Sequence, residues 1–511
     1  MAFRYRSAYF VSELRHAKIK AGVCGLKVQE WRQFVDGEEG KALFSALYGD
    51  EIGTQRARYQ KLLDEAARCV RHVVPHTVPH TAAADMRLFT AAGRTELGGN
   101  HTDHNGGKVL AASVQLDAVA FAFPRSDNKI EFHSTGFPCV QIDISELSPQ
   151  NAERGKPEAL LRGVAAGVAK QGGRIGGFCA VADNTVFAGS GLSSSAALEV
   201  LVAKVFDGLY GYVSHECPKN EPLTPLCLAQ IAQKAENAYY GKPSGLMDQA
   251  ASAHGGAVAI DFADAGNPLI RKIDFDPGRA GYVLCVVNTG GSHAGLTGDY
   301  AAIPEEMRRI AAFFGKECLR AVESRTFYAA IDGGGAACGN PKLREACGDR
   351  AILRAMHFFA ENDRVDAMCA ALDSVNASLC KKELRGHFSK FLDYVQESGD
   401  SSRELLQNCW AIPESQGINL ALVLTRRFAA ALSDGVSKTA CRVHGGGFAG
   451  SIQTYIPAAH FDAYRHSMKT VFGANAVTKL NIRAVGAAEL PLLPLIYQRV
   501  QHGDKKQRYQ R

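Results

Sequence analysis

Between residues 194 and 210 the apolar side chains fall at Leu198, Leu201, Val202, Val205, Phe206 and Leu209. That is the i, i+3, i+4, i+7, i+8, i+11 rhythm of a helix with one buried face. Glu199, Lys204 and Asp207 lie off the stripe and are expected on its polar side. Upstream the rhythm changes. Short β-rich segments near 86–90, 109–123, 130–132 and 178–187 alternate with Gly-rich turns, and strand-like stretches at 257–262 and 282–288 follow. Past residue 289 come helical patterns at 303–314, 352–372 and 420–433, then strands near 450–455 and 480–485. The pattern predicts an α+β protein in two halves without internal repeats. The division expected is a helical extension and linker over 1–85, a first domain over 86–288, a second over 289–490 and a polar tail over 491–511.

The extension has helix-like apolar spacing from 38 to 70. It ends in a run where His72, His76 and His80 recur every four residues, which on a helix would make a metal-binding face. Pro75 and Pro79 disfavour that helix, so the run reads as a Pro-rich linker.

Composition narrows the class. The chain has 511 residues, 46% hydrophobic and 22% charged, the balance of a soluble globular protein with ample core. A net charge of +6 with scattered Lys and Arg gives no reason to expect nucleic acid. The apolar stretch 109–123 holds Gln115 and Asp117 and is too short to span a membrane. No secretory leader is evident over 1–20. The 14 cysteines include no Cys-x-x-Cys, so free thiols in a reducing cytoplasm are the plain expectation.

Three glycine-rich motifs and one acidic segment carry candidate chemistry. Residues 93–107 crowd glycines beside Arg94, Asn100, His101, Asp103 and His104. Sugar hydroxyls are read by such carboxylates, amides and imidazoles, and glycine lets backbone come close. Residues 189–197, Gly-Ser-Gly-Leu-Ser-Ser-Ser-Ala-Ala, follow a strand and open the amphipathic helix. A helix N-terminus fed by such a turn suits an anion, and the serines add hydroxyls for phosphate and metal. It is neither a Walker A loop nor a nucleophile elbow. Residues 443–451 carry three successive glycines before a strand, which suggests that something approaches the backbone closely. In Gly-Leu-Met-Asp-Gln, residues 245–249, Asp248 stands among small and apolar neighbours as a candidate base or charge stabiliser.

Together and in this order, the segments resemble the GHMP kinase superfamily. The first points more narrowly to galactokinases: the stretch from Arg94 to Asn105 resembles their Arg-x-Asn-Leu-Ile-Gly-Glu-His-Thr-Asp-Tyr-Asn signature. Gly191-Leu-Ser-Ser-Ser-Ala matches the family phosphate loop, the stretch from Gln233 and Glu236 to Asp248 and Gln249 its acidic segment, and residues 445–451 its last motif. The resemblance spans roughly 86–490 and implies a ribosomal-protein-S5-like first half, a ferredoxin-like second half and an active site between them. It implies ATP and Mg²⁺, and transfer of a phosphoryl group to the anomeric hydroxyl of galactose. Asp248 falls on the catalytic aspartate and Arg94 on the arginine beside it. Gly189, Gly191, Leu192, Ser193, Ser194, Ser195 and Ala196 fall on the ATP loop. Ser195 and Glu236 fall on the metal ligands. Asn100, His101, Asp103, Tyr300, Gly446 and Gly447 fall on the sugar contacts and the loop that closes over them.

Three of the chain's departures from the signature bear on the sugar site. Asn100 stands where the family has the Glu that contacts the C6 hydroxymethyl, Glu96 where it has Asn, and His104 where it has Tyr. Loss of the negative charge at position 100 raises galacturonate as an alternative substrate. A non-catalytic sugar and ATP sensor, or a kinase for mevalonate or homoserine, are further readings. The intact serine loop with Asp248, and the His-Thr-Asp cluster, weigh against these. A partner-binding role is a separate reading of residues 1–85. The sequence leaves oligomeric state open.

Overall fold

The computed structural model describes residues 26–77, 86–186, 192–211, 222–291, 295–332, 341–432 and 438–491. Three helices come first: α1 (Val28–Asp36), α2 (Glu38–Tyr48) and α3 (Ile52–Thr77). The helical character expected for 38–70 is present. The backbone of α3 also runs on through Pro75, where a linker was expected, because packing of its Leu62, Leu63 and Ala66 face holds a long helix that propensity alone would end earlier. His80 lies outside the described residues, as do the side chains of His72 and His76.

The first sheet begins with β1 (Arg87–Gly98), β2 (Lys108–Pro124), β3 (Lys129–Ser134) and β4 (Val140–Asp143). Helix α4 (Pro157–Lys170), strand β5 (Phe178–Asn184) and helix α5 (Ser194–Tyr210) follow. Next come α6 (Pro225–Lys234), a π-helical turn Ala235–Tyr240, α7 (Met247–His254), β6 (Ala257–Asp261) and β7 (Leu269–Ile273). The second half contributes β8 (Tyr282–Asn288), long helices α8 (Thr297–Phe313), α9 (Asp349–Ala377), α10 (Lys381–Ser401) and α11 (Gly417–Ala430), then β9 (Ala440–His444), β10 (Ser451–Pro457), α12 (Phe461–Phe472), β11 (Val477–Leu480) and β12 (Ala488–Leu490).

The larger sheet has the order β12-β1-β2-β5-β3-β4, with β6 pairing β2 and β7 pairing β6; the smaller is β11-β8-β10-β9. Two sequence-based expectations change here. Strand β8 belongs to the second sheet, not the first half, because its partner β10 lies far along the chain, from Ser451↔Asn288 to Pro457↔Tyr282. The strand expected over 480–485 is β11, ending at Leu480, and Ile482 makes only an isolated bridge to Val114.

The central strands are buried on both faces, so they read as near-continuous apolar runs. Ala118, Ala120 and Ala122 of β2 with Phe178, Ala180 and Ala182 of β5 pack in the core with α4 to α7. The alternate residues Val119, Phe121, Phe123, Cys179 and Val181 pack with Trp31, Phe34, Phe44, Tyr48 and Leu63 of the amino-terminal helices. Each such large side chain contributes roughly 1.5–3 kcal/mol on burial. The helices α1 to α3 therefore form a layer of the fold, with their apolar side used against the sheet.

Asp117 ties that layer down. Its buried carboxylate accepts from Tyr48 Oη at 2.7 Å, Thr90 Oγ1 at 2.8 Å, Arg58 Nη1 at 2.7 Å and Arg483. Burial opposes its ionisation, but the two arginines outweigh that and hold it below the usual carboxylate range. One side chain thus joins α2, α3, β1, β2 and the carboxy-terminal segment.

Among the described residues, no helix is long and apolar enough to cross a membrane.

Candidate active site

Strand β1 carries Arg94 at its centre, where a register shift between Ala92 and Gly93 bends the β1/β2 ladder. Arg94 meets Asp248, in the first turn of α7, through two parallel bonds: Nε to Oδ1 at 2.7 Å and Nη2 to Oδ2 at 2.8 Å. The fork-to-carboxylate geometry fixes both groups. Ser193 Oγ donates to Asp248 Oδ2 at 2.7 Å. Burial alone would raise the Asp248 pKa, yet the Arg94 charge and hydrogen bonds, with Ser193, hold it down at about 2. The carboxylate therefore stays ionised at any ordinary pH while keeping some solvent access.

Ser193 precedes α5 in left-handed backbone, φ 60°, a conformation costly for a non-glycine residue. The turn delivers its hydroxyl to Asp248 at the positive end of the helix dipole. Ser194 Oγ accepts from Asn184 Nδ2 at 2.9 Å. Leu192 and Ala196 are buried beneath the turn. Gly189 and Gly191 lie outside the described residues.

Ser195 Oγ donates to Glu236 Oε1 at 3.0 Å. Glu236 projects from the π-helical turn, a geometry frequent at functional sites. Lys242 Nζ also contacts Glu236 Oε1, at 2.6 Å, and Gln249 Nε2 donates to its Oε2 at 3.0 Å. Beside them lies Glu199 of α5, which the sequence placed on a polar helix face. It is buried, 1% exposed, with Oε2 at 3.5 Å from Gln249 Nε2 and Oε1 without a protein partner. Burial and then the Glu236 charge push its pKa well up. A hydroxyl and two carboxylates, one with an orphaned buried oxygen, form an oxygen donor set that fits a hard divalent cation.

The first and last glycine motifs meet face to face. Three successive carbonyls of the Gly445–Gly447 turn each receive a hydrogen bond. Asn100 Nδ2 reaches Gly445 O at 2.8 Å, His101 Nε2 reaches Gly446 O at 2.8 Å, and Tyr300 Oη reaches Gly447 O at 2.8 Å. A Cβ on Gly446 would come within 2.6 Å of Tyr300, and Gly447, at φ 79°, presses on the Asn408 backbone. The run of glycines is thus required by close approach. Since Gly446 O can only accept, His101 carries its proton on Nε2 and offers Nδ1 as an acceptor. Burial lowers its pKa to about 4, so the ring is neutral.

Asn100 differs from the expectation for a sugar contact. It is 1% exposed, and every polar atom of its side chain has a protein partner. Nδ2 also donates to Glu96 Oε2 at 3.1 Å, and Oδ1 accepts from Asn408 Nδ2 at 2.8 Å. Glu96 in turn pairs with the buried Arg442 of β9. Burial raises the Glu96 pKa despite Arg442 and Arg94. Two of the departures from the galactokinase signature, Glu96 and Asn100, are therefore partners: acid and amide have exchanged places and remain in contact.

Asp103 sits against Gly245, where a Cβ would collide with its carboxylate, and Oδ1 accepts from His104 N at 3.0 Å. This brings the His-Thr-Asp motif to the segment leading into Asp248. The structure thus assembles two hydrogen-bonded groups at the start of α5, Arg94–Asp248–Ser193 and Ser195–Glu236, and joins Asn100, His101 and Tyr300 to the glycine turn. Sequence reasoning missed Glu199, Lys242, Arg442 and Asn408. An acid at position 199 inside a strongly apolar helix was the one available signal.

The galactokinase galactose-binding signature matches residues 80–124, and the model for the GHMP kinases N terminal domain matches residues 159–256. A galactokinase of Streptomyces coelicolor is 31% identical over 76% of this chain and 89% of its own length. The Homo sapiens galactokinase is 28% identical over 84% of this chain and 97% of its own. The crystal structure of Lactococcus lactis galactokinase complexed with galactose shares the fold, with a TM-score of 0.64 and 22% identity over 89% of this chain and 99% of that one.

Proposed function

The chain belongs to the galactokinase family, and on that premise we propose that it moves the γ-phosphoryl group of ATP to the anomeric hydroxyl of galactose, giving galactose 1-phosphate and ADP. The observation that carries this reading is the bidentate Arg94–Asp248 pair joined by Ser193 at the start of α5.

Phosphoryl transfer needs positioning and charge stabilisation more than covalent help. Asp248 accepts a hydrogen bond from the C1 hydroxyl and aligns its oxygen for attack on the γ-phosphorus. The new bond joins that oxygen to phosphorus. The bond to the β,γ-bridging oxygen breaks, its electron pair leaving with ADP. The hydroxyl proton passes to the Asp248 carboxylate and on to solvent. With a pKa of about 2, Asp248 is a weak base, so it works chiefly by orientation and by stabilising the hydroxyl as it loses its proton. Arg94 keeps that carboxylate ionised and steadies charge on the moving phosphoryl group. Leu192 to Ala196, with Gly189 and Gly191, cradle the phosphates at the helix N-terminus. Ser195 and Glu236, with Glu199 alongside, would hold Mg²⁺, which supplies positive charge to the phosphate oxygens when bound.

His101 and Asp103 take sugar hydroxyls, and Tyr300 supports the Gly446–Gly447 turn that covers them. Asn100 acts through that turn. Its amide is turned to Glu96 and Gly445, which removes the main reason for expecting galacturonate. Phosphorylation of galactose, galacturonate and glucose with ATP and Mg²⁺ tests the reading. Conversion of galactose, with loss of turnover in Asp248→Asn, supports it; conversion of galacturonate alone refutes the substrate assignment. Absence of any product would refute the reaction. The free cysteines among the described residues suit a reducing compartment, and we place the protein in the cytoplasm.

A further inference from the structure

Helix α9, from the second half of the chain, grips the sugar motif of the first half by its backbone. His101 stands in left-handed backbone, φ 58°, which a non-glycine residue keeps only where its surroundings over-determine it. The two residues before it are held at both ends. Gly99 N donates to Glu361 Oε1 at 3.0 Å, and Asn100 O accepts from His357 Nε2 at 2.9 Å. His357 and Glu361 lie four residues apart on α9, hence on one face of the helix, and both are buried. Each is backed in turn by a serine of α10. Ser401 Oγ is 2.8 Å from His357 Nδ1, and Ser398 Oγ donates to Glu361 Oε1. Because Asn100 O can only accept, His357 carries its proton on Nε2, and its Nδ1 accepts from Ser401. Burial lowers the His357 pKa, which favours that neutral ring. The approach is close: a Cβ on Gly98 would lie 2.6 Å from Met368 Sδ of α9.

We propose that His357 and Glu361 are positioning residues for the sugar, holding the Gly99–Asn100 backbone so that His101 keeps its left-handed conformation and presents its ring to galactose. The inference rests on His101 being a sugar contact; neither α9 side chain touches substrate. The Asn100 carbonyl belongs to the peptide unit whose rotation defines φ of His101, so the His357 bond bears directly on that angle. The Glu361 bond fixes the other end of the segment, which can then neither slide nor turn. At the ring end, Gly446 O holds His101 Nε2 at 2.8 Å. Two parallel relays, Ser401–His357–Asn100 and Ser398–Glu361–Gly99, thus carry the packing of α9 on α10 into the geometry of one imidazole.

Steady-state kinetics and calorimetric galactose binding on the full chain test this. His357→Leu removes the donor while keeping similar bulk. Its KM and Kd for galactose should rise about tenfold or more, with KM for ATP within about twofold of wild type. His357→Gln, whose amide can still donate to Asn100 O, should recover much of the loss. The deciding comparison adds His101→Ala. If His357 acts through His101, His101→Ala/His357→Leu binds galactose no more weakly than His101→Ala alone. Additive losses in the double variant overturn the proposal, as do equal rises in both KM values or unchanged galactose affinity in His357→Leu. If the leucine variant misfolds, Ser401→Ala, which frees the His357 ring to turn, carries the same comparisons. His101→Ala with wild-type galactose affinity would refute the sugar-contact reading and the proposal with it, whereas failure of the His357 arms alone refutes only the proposal.

Discussion

Replacing Asp248 by Asn keeps the shape of the site and removes one charge. The Asp248 pKa of about 2 against an ordinary 3.8 is a shift of nearly two units. At roughly 1.36 kcal/mol per unit this corresponds to about 2 kcal/mol of stabilisation from ionisation, after allowance for a side chain 26% exposed. Because the folded pKa lies below the unfolded one, this contribution is fully present above about pH 4 and is lost as pH falls towards about 2. The variant should therefore melt a few degrees lower at neutral pH. That difference should shrink below pH 4, as the wild-type carboxylate protonates too. Turnover should fall much further, by about 10²–10⁴-fold, since an amide can neither take the hydroxyl proton nor balance Arg94. KM for ATP should stay near wild type. Coupled ADP release across pH 4 to 8 is the assay. The wild-type kcat/KM profile should show no acidic limb from this group. A limb near pH 5 that vanishes in Asp248→Asn would refute the Arg94 argument, and a variant kcat within about threefold of wild type would refute the catalytic role.

Three other perturbations follow from the site. Asn100→Glu would set a second carboxylate against Glu96, so kcat/KM for galactose and the melting temperature should both drop, and adding Glu96→Asn should restore much of each; no recovery in the double variant would sink the exchange argument. Gly245→Ala pushes a Cβ into the Asp103 carboxylate and should raise KM for galactose by about tenfold or more while sparing KM for ATP, read by steady-state kinetics. Glu96→Gln leaves Arg442, buried at 0% exposure, without its counter-charge, and chemical denaturation should report a loss of about 3–5 kcal/mol.

Much of this was legible in the sequence because it is local. The periodicity of 194–210 gives helix α5 at its observed limits, and the glycine turns fall where the chain must bend tightly. Legibility failed where the deciding contact is distant. Glu199 looked solvent-facing because helix periodicity cannot see Glu236 and Gln249 arriving from elsewhere. Asn100 looked like a bare sugar contact because its partners, Asn408 and Gly445, lie some three hundred residues away. Strand β8 was assigned by order along the chain, whereas its sheet is decided by β10. The helix through Pro75 shows tertiary packing overruling a local breaker.

Asp117 and strand β12 have a consequence for how the protein is made. The sheet that presents Arg94 is completed by pairs such as Leu88↔Leu490, and Asp117 acquires Arg483 from the same late segment. A ribosome exposes β1 and β2 long before residues 483–490, so the nascent sheet keeps an open edge and a half-compensated buried acid until that segment emerges. Closure waits for that segment. A chain ended between residues 457 and 483 would hold every catalytic side chain named here yet lack Arg483 and β12, and should aggregate more readily than the full chain.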